Sequence, residues 1–178
     1  MSIFIKKVLN PRRSQGQRIK KDQLFSIIFL SNLCGHFGGR GISRFAKIHE
    51  KSFREELNLK HKVPSHVTFS DFIKRIDHKE VIKAFNNWTR SCIVLGKENM
   101  ISGDGKALGS TVSNSQTKNQ SFEAIVSLFC QKTGLVYAIE TYKNNKESEI
   151  NVIQFLIKEL KQMGLTIYLD ALHCQKKL

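Results

Sequence analysis

Two apolar runs stand four residues apart in this chain, FEAIVSLFC at residues 122–130 and LVYAIETYK at 135–143, with QKTG between them. Each run is nine residues long and rich in β-branched and aromatic side chains, and the connection contains a glycine. That is the pattern of a β-hairpin, and it constrains everything around it, because a hairpin needs a further layer against its apolar face. The next segment supplies one. ESEINVIQFLIKELKQM, residues 147–163, carries Ile150, Ile153, Ile157 and Leu160 at helical spacing and is followed by Gly164, a helix stop. LTIYLD, residues 165–170, is then a final apolar strand, which a crossover helix lays parallel in the sheet. Upstream, NMISGDGKAL reads as a short strand reaching an acidic turn. From about residue 96 the order is strand, hairpin, helix, strand, a mixed sheet.

The first half has a different period. KDQLFSIIFLSNLCGHFGG, residues 21–39, is an apolar helical run closed by glycines. GISRFAKIHEKSFREELNL, residues 41–59, places Ile42, Phe45, Ile48 (or Ala46), Phe53 and Leu57 near one helical face. In VPSHVTFSDFIKRIDHKEVIKAFNNW, Thr68 precedes Asp71 by three residues and Asp77 precedes Glu80 by three. Both pairs have capping-box spacing, predicting helices over about 69–76 and 78–94. The expected organisation is therefore a helical region, 1–95, and a mixed α/β region, 96–178, with overall class α+β / α/β.

Charge separates the same two halves. Residues 1–100 hold 20 Lys and Arg against 8 Asp and Glu, while residues 101–178 hold 9 against 7. A net charge of +14 favours a polyanionic partner, nucleic acid or an acidic membrane face. The longest apolar stretch, LFSIIFL, is too short to span a bilayer, and no signal-peptide pattern opens the chain, so a cytoplasmic protein with no membrane partner is expected. Cys34, Cys92, Cys130 and Cys174 form no CxxC pair, which points to free thiols in a reducing compartment. Cys34 and His36 lack a second ligand pair at finger spacing.

Two aspartates stand out by position: Asp104 after MISG, and Asp170 at the close of the last strand. Ligand sites in open α/β sheets gather beyond the carboxyl ends of parallel strands, where two converging carboxylates repel unless a proton or cation is shared. A hard divalent ion such as Mg²⁺, bound through oxygen, resolves that repulsion. Each residue also has a plainer reading: GDG is a common turn, and Asp170 can cap a following helix. The basic cluster Arg12, Arg13, Arg18, Lys20 and Lys21 reads either as a set of DNA-phosphate contacts or as a solvated arm. Lys106, His173 and Lys176, near the two aspartates in sequence, are further candidates for a phosphate, or ordinary surface residues.

Seven motifs in order, NPRRSQGQRIKKDQL, LCG, FAKIHEKSF, VPSHVTFSDFIKRID, GDGKALGS, KESEI and LDALHCQKK, resemble the H-repeat-associated (ISAs-type) insertion-sequence transposases, a group of DDE transposases. The resemblance implies a ribonuclease-H-like catalytic domain in which Asp, Asp and Glu bind two Mg²⁺ ions, with Asp104 and Asp170 as the first and second aspartates. It implies DNA, both transposon ends and target, as partner, and is compatible with a homo-oligomer. The family's glutamate belongs on a helix past Asp170. Glu140, Glu147 and Glu149 precede it and do not match. The expectation is thus the front portion of a transposase, truncated and inactive alone; the alternative is a non-catalytic DNA-binding fragment, inert or competing with intact transposase.

Overall fold

The computed structural model describes residues 6, 8–15, 17–113, 120–160 and 164–170, and divides the chain into two compact units, Met1–Ala84 and Phe85–Leu178. His173, Cys174 and Lys176 lie outside the described residues. Helices come first and a mixed sheet follows, the α+β class read from the sequence.

The first unit holds α1 (Lys21–Leu33), α2 (Gly38–Ile48), α3 (Glu50–Glu56), α4 (His66–Arg75) and the start of α5 (His78–Cys92). The helical run expected over 21–39 ends at Leu33, and its closing glycines Gly38 and Gly39 open α2 instead. Gly35 takes φ +79°, and the amides of Gly35 and His36 donate to the carbonyls of Asn32 and Ser31. The run expected as one helix over 41–59 is two, broken at His49 (φ −101°, ψ 24°). Ile42, Ala46 and Phe53 turn inward while Ile48 is 70% exposed, so Ala46 is the core residue of that turn. These side chains join Leu24, Ile27, Leu59, Phe69 and Phe72 in one core, with Phe25 edge-on to Phe72 at 5.6 Å.

Helix α4 begins three residues before its expected start. Ser65, not Thr68, is the N-cap, and Thr68 sits in the first turn with its Oγ1 3.4 Å from Ser65 Oγ. The cause is local: Pro64 ends the preceding extended segment, so the helix starts at the first hydroxyl after it. At α5 the Asp77 cap forms, Oδ1 accepting from the Lys79 amide at 2.9 Å. Its expected box partner Glu80 instead accepts from the distant Leu9 amide, also at 2.9 Å.

The second unit is a four-stranded sheet, β1 (Met100–Ala107), β2 (Glu123–Cys130), β3 (Leu135–Lys143) and β4 (Thr166–Tyr168), in the order β3-β2-β1-β4. β1–β2 and β2–β3 are antiparallel, and β1–β4 is parallel, as the crossover predicts. Helix α6 (Glu149–Glu159) covers one face, burying Val152, Ile153, Leu156 and the following Leu160 against Ile101, Val126 and Leu128. The helical stripe thus runs through Val152 and Leu156, while Ile150 and Ile157 are only half-buried. The edge of β3 is closed by α5: Asn86 bonds both the amide and the carbonyl of Ile139 at 2.9 Å, and Thr89 Oγ1 donates to the Tyr137 carbonyl at 2.6 Å. A side-chain amide here takes the place of a fifth strand.

Candidate carboxylate site on the sheet

Asp104 is not in a turn. β1 runs straight through Gly103-Asp104-Gly105, with Asp104 opposite Ser127 of β2, so the expected strand end at an acidic turn is corrected to a strand interior. The reason is long-range. Both glycines lie where other groups crowd the backbone, the usual meaning of glycine within a strand. A Cβ on Gly103 would meet Leu169 Cδ2 at 2.8 Å and Leu128 Cδ2 at 3.3 Å. A Cβ on Gly105 would fall 2.5 and 2.6 Å from the carboxylate oxygens of Glu149.

Strand alternation then sorts the faces. Ile101 and Gly103 are buried on the α6 side, whereas Asp104 and Lys106 are exposed on the other. The β1–β4 ladder pairs Met100 with Thr166, Ile101 with Ile167 and Ser102 with Tyr168. Two residues on from the last pair stand Asp104 and Asp170, both exposed. Leu169 still lies against Gly103, so the chain follows β1 past the ladder's end. The register thereby carries the two carboxylates toward neighbouring positions on strands about 4.8 Å apart. Lys106 shares their face. Two exposed carboxylates offer hard oxygen donors to a cation. Among the described residues no group of three or more His, Cys, Asp or Glu is arranged to hold a metal ion, the Cys34–His36 pair included.

Glu149, which falls in the KESEI motif but was given no role there, packs its carboxylate over Gly105 from the α6 side of the sheet. Tyr142 donates to it, Oη to Oε2, at 3.2 Å. Burial first, then the charge and hydrogen bond of Glu149, raise the Tyr142 phenol above its ordinary value. The available signal was the G-x-G spacing inside a strand: one glycine admits Leu169 and the other admits Glu149.

The basic residues fare differently from one another. Lys21 directs its Nζ to the carbonyls of Val8 at 2.5 Å and Lys6 at 3.3 Å, tying down the segment that precedes α1. Lys20 is the N-cap of α1, its amide bonded to Gln23 Oε1, and Arg13 is exposed. Arg12 is half-buried, with its guanidinium 5.6 Å from the Phe72 ring centroid. Arg18 is exposed. Cys34 and Cys92 are exposed free thiols and Cys130 a buried one. No helix among the described residues is long and apolar enough to cross a membrane.

Residues 3–89 match the family model described as DDE_Tnp_1-associated. An uncharacterised protein in the dhlA 3′ region of Xanthobacter autotrophicus is 25% identical over 175 residues, covering 97% of this chain. The chain spans 58% of the length of that relative. No solved structure matches.

Proposed function

We propose that this chain, whose residues 3–89 belong to the DDE_Tnp_1-associated family, the N-terminal region of DDE transposase family members, carries the first two metal-binding carboxylates of a DNA transposase. The observation that carries this reading is the β1–β4 register, which runs toward Asp104 and Asp170, both exposed and each two residues past its last pair. The strand order and pairing support a ribonuclease-H-like catalytic domain, 96–178, following a DNA-associated helical region, 1–95. In this reading Asp104 and Asp170 would hold Mg²⁺ through their carboxylate oxygens. Bound there, the metal supplies Lewis-acid polarisation for phosphoryl transfer during strand cleavage and joining. The chain's own part is to hold two charges at fixed spacing on a rigid sheet, with Lys106 on the same face available to a phosphate.

Terbium luminescence tests the pair directly. Asp104→Asn and Asp170→Asn are each expected to weaken Tb³⁺ binding by about tenfold or more, since each removes a charged ligand. Glu98→Gln, at an exposed ion pair with Lys132 3.7 Å away, is expected to leave it unchanged. Unaltered affinity in both aspartate variants refutes the site.

A second reading rests on a separate observation: among the described residues no third ligand joins the two aspartates. In that reading the chain binds DNA without cutting it. Nicking of supercoiled plasmid in Mn²⁺, lost in Asp104→Ala, excludes it; salt-sensitive DNA binding without nicking supports it.

A further inference from the structure

Two segments far apart in sequence, NPRRSQGQR at 10–18 and HKVPS at 61–65, meet in the first unit because each is anchored in the same core. Ile19 (6% exposed) follows the first, and Leu59 (5%) and Val63 (9%) flank and enter the second. The loop at 61–65 is held from behind as well. Buried Ser43 donates to the Pro64 carbonyl at 3.4 Å, and α2 approaches so closely that a Cβ on Gly39 would stand 2.7 Å from the His66 carbonyl oxygen. Between the segments lies a cleft of about 500 Å³.

Its polar lining is Arg12, Arg18, His61, Lys62, Ser65 and Thr68, and no acidic side chain is among the described residues that line it. Ser65 is the N-cap of α4, a ten-residue helix with no acid in its first turn and no side-chain cap on its amides. Those amides and the positive end of the helix dipole therefore add to the cationic side chains. Arg12 is held in place: Nε donates to Asn10 Oδ1 at 3.2 Å, and the guanidinium lies over the buried Phe72 ring. Its Nη2 is buried with no protein acceptor. Burial also pulls the Arg12 pKa down, the sign of a cation short of compensation. A half-buried arginine stays charged, so this cleft favours an anion.

We propose that the cleft is a phosphate site, occupied by a backbone phosphodiester of DNA. The proposal rests on the DNA-binding reading of the basic region and narrows it. Arg12 and Arg18 contact the phosphate together with His61, Lys62 and the amino end of α4, while Lys21 serves the fold.

The test uses the full chain, with fluorescence anisotropy on duplexes of unrelated sequence, with and without 5′-phosphates, and calorimetry with inorganic phosphate at fixed ionic strength. Arg18 and Lys62 are exposed, so an Arg18→Gln/Lys62→Gln double variant leaves the core intact. It is expected to bind both duplexes about tenfold more weakly, with a salt slope smaller by about one to two. Lys132→Gln/Lys158→Gln, which removes the same charge from the second unit, is expected to bind as the unaltered chain does. Equal affinity in the Arg18/Lys62 variant, or an equal loss in the control, overturns the site. Tight binding only to 5′-phosphorylated ends overturns the backbone diester in favour of a terminal phosphate. If the unaltered chain binds no DNA but binds inorganic phosphate, and the Arg18/Lys62 variant does not, the DNA occupant is refuted and a free-phosphate site takes its place. Binding of neither refutes both.

Discussion

Removing Asn86 tests whether a side chain can stand in for a strand. Its Oδ1 accepts from the Ile139 amide and its Nδ2 donates to the Ile139 carbonyl, both at 2.9 Å, and the residue is 9% exposed. Asn86→Ala deletes two hydrogen bonds of good geometry and leaves two backbone groups of β3 without partners. An intramolecular hydrogen bond contributes about 1 kcal/mol net, and stranding a buried partner costs about 1–3 kcal/mol. Ile139 is half-buried, so water recovers part of the loss, and the expected destabilisation is about 2–3 kcal/mol. For a unit of this size that lowers Tm by about 10 °C or more. Urea and thermal unfolding followed by circular dichroism measure the total, and amide exchange at Ile139 measures the local effect. Asn86→Asp sharpens the comparison, because it keeps the acceptor for the Ile139 amide but turns a carboxylate oxygen toward the Ile139 carbonyl. It is expected to be no better than alanine. A loss below about 0.5 kcal/mol in Asn86→Ala, with Ile139 exchange unchanged, refutes the view that α5 closes this edge.

Gly39→Ala improves helix propensity by about 1 kcal/mol, yet its methyl would overlap Ser70 Oγ and press on the His66 carbonyl. Net destabilisation by about 1–2 kcal/mol in a urea melt is expected, and a gain in stability contradicts the close α2–α4 approach. Tyr142 holds its proton more tightly folded than unfolded, so its contribution to stability is complete below the ordinary tyrosine value, about 10, and is lost as pH rises through the higher folded value. Urea midpoints at pH 9 and about pH 11 are expected to fall less in Tyr142→Phe than in the unaltered chain, and equal falls reject the assignment. Gly105→Ala, by displacing the Glu149 carboxylate, is expected to bring Tyr142 ionisation back toward the ordinary value, seen as an earlier rise in absorbance at about 295 nm.

Short-range chemistry made much of this molecule legible in the sequence. Gly35 adopts the positive φ of a helix stop, Gly134 closes the hairpin at φ +69°, and Asp77 caps the helix it precedes. Each depends on a few neighbouring residues, so each is written locally. The crossover helix likewise makes the last strand parallel in the sheet, because a strand returning after a helix keeps its direction. What failed was wherever a distant contact outranked a local preference. GDG has the chemistry of a turn, but pairing with β2 and the approach of Leu169 and Glu149 hold it straight as a strand. Glu80 has capping-box spacing, but Leu9, 71 residues away, takes its carboxylate. The face on which Asp104 stands, and the parallel register that leads from Tyr168 toward Asp170, are specified by no local pattern. The basic cluster was visible as charge. Only the packing of Ile19 and Val63 into one core joined Arg12 and Arg18 to His61 and Lys62, and separated them from Lys21, because charge is read residue by residue while a cleft exists only between segments the core has brought together.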